Sequence, residues 1–164
     1  MTVGEVASKF ITDELATEQT KKSSLEARGI SIITTSGTLV TLLFALAAVV
    51  TKATNYKLPP SAAWVLIVAG VLFVLAAAFG MFANSPIPYN RVEPSSLTEL
   101  VDVAEWPQDG AEADRQLTHA RLEELTDARA RNEFKAWLVV FGLSAEVLAL
   151  VLTLVAIAVV LAYR

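Results

Sequence analysis

The stretch GISIITTSGTLVTLLFALAAVV, residues 29–50, runs for twenty-two positions without a charged side chain. A helix rises about 1.5 Å per residue, so roughly 20 apolar residues cross the hydrocarbon core of a bilayer. Two further stretches repeat the pattern. Residues 62–83 carry no charge, and residues 136–162 carry one, Glu146. The chain therefore reads as an all-α integral membrane protein with three transmembrane helices and a cytosolic helical extension. Its 164 residues are 54% hydrophobic and 18% charged, with a mean hydropathy of +0.53. Soluble domains carry about a quarter charged residues and spread their apolar positions along amphipathic elements. A soluble bundle would need polar helices to wrap three oily ones, and a chain this short has too few.

Working outward, six segments follow. Residues 1–28 form a cytosolic N-terminal helix, with Val3, Val6, Phe10 and Leu15 as an apolar stripe. Residues 29–51 are the first span and 52–61 a short outer loop. Residues 62–83 are the second span, 84–135 a cytosolic linker with helices, and 136–162 the third span. Only Gly29 interrupts a continuous helix from the N-terminal segment into the first span. Pro59 and Pro60 cannot sit in a helix interior but can start one. Pro86, Pro88 and Pro94 mark an extended linker. Ser96-Leu-Thr-Glu99 is a capping box for a short helix over 97–105. Trp106-Pro-Gln-Asp-Gly110 is a turn, after which one helix of about 50 residues runs into the third span. No repeat of fixed period is evident.

Lysine and arginine are retained on the cytoplasmic side. Ten lie before the first span or between the second and third, against Lys52, Lys57 and Arg164 on the other side. This places the N-terminus in the cytoplasm, the C-terminus outside, and the protein in the cell membrane. Tyr56, Trp64 and Tyr163 fall at the outer boundary, Tyr89 and Trp137 at the inner one. The first 28 residues hold five acids and four bases, which is not a signal peptide, so the first span is expected to stay in the mature protein.

Glu146 lies ten residues past Ala136, about 15 Å into the bilayer. An acid there costs roughly 2.5–3.5 kcal/mol on insertion scales. It must be neutral, partnered or facing water. It is either an ion or proton site, a polar contact between copies, or a neutral acid bonded to a neighbouring hydroxyl. Candidate hydroxyls are Ser31, Thr34, Thr38 and Thr41 in the first span and Thr153 in the third. Small residues let membrane helices approach, and hydroxyls bond between them. The hydroxyl face of the first span, Ala69, Ala76, Ala77 and Gly80 of the second, and Gly142, Ala145, Glu146, Ala149, Thr153 and Ala156 of the third are expected to form the bundle interior. The alternative is an interface between copies lining a polar path. Lys21, Lys22, Arg28, Arg129, Arg131 and Lys135 are expected to meet anionic lipid headgroups.

No catalytic, cofactor or metal site is expected. There is no cysteine, which removes thiolate chemistry and sulfur-based metal sites. His119 is the single histidine and reads as a solvated helix residue. There is no phosphate-binding glycine loop, no His-x-x-x-His pair and no nucleophile elbow. A net charge of −4 gives no field favouring nucleic acid. The expected partners are the lipid bilayer and either a second copy or another membrane protein.

The Ala/Val/Leu-rich composition suits a bacterium of high GC content. A helix ending in Lys21-Lys-Ser-Ser-Leu-Glu-Ala-Arg28 feeds a small-residue span. A hairpin and a polar middle follow. The basic, aromatic run Arg129-Ala-Arg-Asn-Glu-Phe-Lys-Ala-Trp137 opens the last span. This layout resembles the Pycsar membrane-effector family and related two-span effectors of bacterial nucleotide-signalled defence. The resemblance implies an effector that responds to a cyclic nucleotide and impairs the membrane, and it carries no nucleotide-binding residue to a position here. Three functions are therefore in view: a non-enzymatic membrane protein acting through self-association or partner contacts, a regulated pore or membrane-perturbing effector, and an accessory subunit of a larger membrane complex.

Overall fold

A computed structural model describes residues 3–53, 59–86 and 110–162. Three helices make up the fold: α1 (Val3–Ala53), α2 (Pro60–Asn84) and α3 (Gly110–Ala162). No strand occurs among the described residues. Each helix is long and apolar enough to cross a membrane. The capped helix expected at 97–105, the linker beyond Pro86, and Tyr56, Tyr89 and Tyr163 lie outside the described residues.

Pro60 opens α2, and the Ala63 amide donates to the Pro59 carbonyl at 3.1 Å. Proline suits this first turn because its missing N–H would have had no partner there. The helix exceeds the expected 62–83 by two residues at one end and one at the other.

The chain packs as two compact units. One comprises Met1–Thr20 and Ser85–Arg131. In it Ile11 and Glu18 of α1 and Leu125 of α3 are buried. Arg129 pairs with Glu14 and Glu18, and Arg121 donates to Ser8 and Thr12 at 3.2 and 3.4 Å. Asp127 and Arg131 pair along α3 at 3.3 Å. Val6 and Phe10 face outward, because the inward positions are Ile11 and Glu18, seven residues apart, with Leu15 beside them.

The second unit, Lys21–Asn84 and Asn132–Arg164, holds the three spans. Its α1 and α3 run parallel: Glu26 meets Lys135, 109 residues later, and Ile32 meets Gly142. The α2 helix runs antiparallel to α1, since Gly29 meets Gly80 and Ala83 while Ala47 and Ala63 line one groove.

A repeat of seven governs what is buried. In α2 it is Ala62, Ala69, Ala76 and Ala83, with Phe73 and Gly80 between. In α3 it is Asn132, Val139 and Glu146, alternating with Lys135, Gly142, Ala149 and Ala156, with Thr153 half-buried in the same register. In α1 Gly29, Ile32 and Ser36 are buried, and Lys22, Leu25, Leu39 and Leu43 continue the same spacing half-buried. Seven-residue spacing keeps one seam facing a partner along a left-handed supercoil. The seam mixes small and polar residues with a few large ones such as Ile32 and Phe73, and many large side chains point away from it. Phe44, Trp64, Val74, Phe82, Phe141, Val147 and Leu154 are all more than half exposed. Water would not tolerate such an exterior on a soluble protein. Lipid tails do, since they are as apolar as leucine and leave packing to decide the interior. The chain is an all-α multi-pass membrane protein.

Candidate intramembrane polar site

The site begins with two glycines. A methyl group on Gly80 would lie 2.7 Å from the Gly29 carbonyl oxygen, and one on Gly29 would lie 2.9 Å from the Gly80 oxygen. No side chain fits between these backbones, which is why both helices carry glycine where they cross. One level on, Gly142 of α3 leaves room for the Ile32 side chain. A methyl on Gly142 would stand 3.3 Å from Ile32 Cδ1 and 3.4 Å from both the Ala76 oxygen and Phe79 Cβ. Three small positions thus bring the three helices together over two successive levels.

One turn further along α1 and α3 lie Ser36 and Glu146. Ser36 is fully buried and Glu146 is 7% exposed. Neither Ser36 Oγ nor Glu146 Oε1 has a hydrogen-bond partner. A buried polar group left unpaired costs about 1–3 kcal/mol. Two such groups lie at one level of the seam, each four residues beyond the Ile32–Gly142 contact. The buried α2 residues of this region are Phe73 and Ala76, and neither offers a polar side chain. Beyond the pair a cavity of about 170 Å³ is lined by Leu39, Leu42, Leu43, Phe73, Leu150 and Thr153. The Thr153 hydroxyl donates to the Ala149 carbonyl at 2.8 Å, so the cavity wall is apolar apart from its remaining lone pairs.

The other expected hydroxyls take a different place. Thr34, Thr38 and Thr41 are exposed, each donating to the carbonyl four residues back at 3.0, 2.8 and 2.9 Å. Ser31 is exposed as well. The expectation that this stripe faces the bundle interior is corrected: it lies about half a helical turn from the seam of Gly29, Ile32 and Ser36. The physical reason is twofold. Back-bonding to the helix satisfies a threonine hydroxyl without any neighbour. The crossing with Gly80 also demands glycine on the inner face. In α2 and α3 the small residues do face inward: Ala69, Ala76, Gly80, Gly142, Ala149 and Ala156 are buried.

The basic residues divide too. Lys135 is buried, and its Nζ donates to Glu26 Oε1 at 2.6 Å. Its ammonium is held by protein rather than by lipid, a correction to its expected place at the headgroups. Arg129 and Arg131 are engaged by the acids named above, while Arg28 is exposed. His119 is exposed. No group of three or more His, Cys, Asp or Glu side chains poised for a metal occurs among the described residues.

Sequence reasoning missed Ser36 and the burial of Lys135. The signal that finds them is the seven-residue spacing from Gly29 to Ser36 and from Lys135 to Gly142 to Ala149. No family model, curated protein or solved structure matches this chain.

Proposed function

We propose that this is a non-enzymatic integral membrane protein that works through self-association, with a second copy packed on the outward face of α1. One observation carries the reading. Thr34, Gly37, Thr38, Thr41 and Ala45 form a small, hydroxyl-rich face on the outside of the three-span unit, and a methyl on Gly37 would meet nothing within 4 Å. Gly37, Thr41 and Ala45 follow each other at intervals of four, the spacing by which small residues let membrane helices close on one another. Large residues such as Trp64, Val74, Phe82 and Leu154 are prominent on the rest of the lipid-facing exterior.

Energy transfer between donor- and acceptor-labelled copies in lipid vesicles tests this. The wild type is expected to associate, and Gly37→Leu to weaken association at least tenfold, about 1.4 kcal/mol. Val74→Leu, on a different helix face, should leave it unchanged. A wild type that stays monomeric at every protein-to-lipid ratio defeats the reading.

The same outward hydroxyls support a second reading, a pore formed by several copies, in line with the effector layout of the sequence. Ion flux from vesicles that disappears with Gly37→Leu would select it over a non-conducting assembly.

The orientation that goes with both readings places the N-terminus in the cytoplasm. A membrane-impermeant thiol reagent is expected to label Ser61→Cys in intact cells, and Gln116→Cys only after permeabilisation. The native chain has no thiol to interfere. The reverse pattern overturns the orientation.

A further inference from the structure

We propose that Ser36 and Glu146 form a proton-binding site inside the three-span bundle. The proposal stands apart from self-association, since both residues face the seam and not the outer surface.

Two polar side chains, each more than nine-tenths buried, reach the same level from parallel helices, and each has an oxygen without a partner. Buried unpartnered groups in a native fold call for an explanation in the form of an ion, a water or a chemical role. The donor set decides which. Calcium takes six to eight oxygens, and this site offers one carboxyl and one hydroxyl. A resident water needs two to four polar partners with room beside them, and the adjoining cavity is walled by five apolar side chains and Thr153. A proton needs a single carboxylate. Binding is a plain transfer: the Glu146 carboxylate takes a proton from hydronium, leaving a carboxylic acid and water, with no other bond changed.

The hydroxyl at position 36 suits both states, because serine is donor and acceptor at once. After a side-chain rotation it accepts from the neutral acid or donates to the carboxylate. No other charge competes nearby. Residues 29–51 of α1 carry none, α2 carries none from Pro60 to Asn84, and the rest of residues 136–162 carries none. The nearest pair, Glu26 with Lys135, is mutually neutralised and lies about ten residues away on each helix, roughly 15 Å.

Infrared difference spectra of the full chain in lipid vesicles, recorded from acid to alkaline buffer, test the site. A carbonyl band of a neutral carboxyl is expected that is lost reversibly on alkalinisation. It should be absent throughout in Glu146→Gln and displaced in frequency in Ser36→Ala. A Glu146 band that never changes across the titration, or never appears, overturns the proposal. The first of these would leave Glu146 as a fixed polar marker of helix register. Should Glu146→Gln fail to fold, Ser36→Ala decides the matter. It keeps the acid, and a titrating band matching the wild type in frequency and midpoint would overturn the paired site.

Discussion

Glu26→Ala is expected to destabilise the three-span unit by about 3 kcal/mol, the lower end of what stranding one charge of a buried pair costs. The Lys135 side chain is 4% exposed and its ammonium lies 2.6 Å from Glu26. Removing the acid leaves the ammonium of a buried lysine with its principal partner gone. Glu26 is 30% exposed, which keeps the figure from the upper end of the range. Replacing both residues, Glu26→Leu with Lys135→Met, is expected to recover most of the loss, because apolar side chains of similar volume often match or exceed a buried pair. Reversible denaturant unfolding in micelles gives both numbers. Equal losses for the single and double variants would mean that the stranded lysine is not what destabilises the unit. As a contrast, Glu14→Ala should cost no more than about 1 kcal/mol, since its partner Arg129 is over half exposed and exposed pairs are weak.

The second large effect is expected from Gly80→Ala, which should cost about 2–3 kcal/mol, the upper part of the range for overpacking. The added methyl would stand 2.7 Å from a backbone oxygen of α1 and 3.0 Å from Ile33 Cγ1. A side chain can rotate away, but the Gly29 carbonyl cannot, so the two helices must part. Gly29→Ala should behave similarly, and the double variant should cost less than the two single losses combined, since one separation accommodates both methyls. Gly70→Ala is the control on the same helix. A methyl there meets nothing within 4 Å, so helix propensity alone should make it neutral or better by up to about 1 kcal/mol. If Gly80→Ala matches Gly70→Ala in the same unfolding assay, the close crossing is not present in the membrane.

The spans were legible because charge is expensive in lipid, and a run of twenty-two uncharged residues has few other uses. Pro59 and Pro60 placed the start of α2 to within two residues for an equally local reason. Which way each helix faces was not legible from apolarity. In water the more apolar side is the inner side, but between lipid tails that rule has no force. Thr34, Thr38 and Thr41 look like interior glue, yet they satisfy themselves on their own backbone and face out. Lys135 looks like a headgroup anchor, yet an acid 109 residues upstream draws it inward. That pairing depends on the register between two distant helices. The seven-residue seam was present in the chain throughout, but more than a third of its members are Gly, Ser, Asn, Lys and Glu, which a search for apolar periodicity discards. Glu146 was legible as an anomaly. Its neighbour Ser36 was not, since one serine among several hydroxyls carries no mark of which is buried.

The parallel partnership of the first and last helices has a consequence for how the protein is born. Glu26 must wait for a lysine that the ribosome adds 109 residues later, on the order of ten seconds at ordinary translation speeds. Throughout that interval the side of the first helix that α3 will cover is open, and the α1–α2 hairpin alone cannot close it. Premature termination between the second and third helices would therefore release a two-span product without the α3 side of its lining, a ready substrate for membrane quality-control proteases.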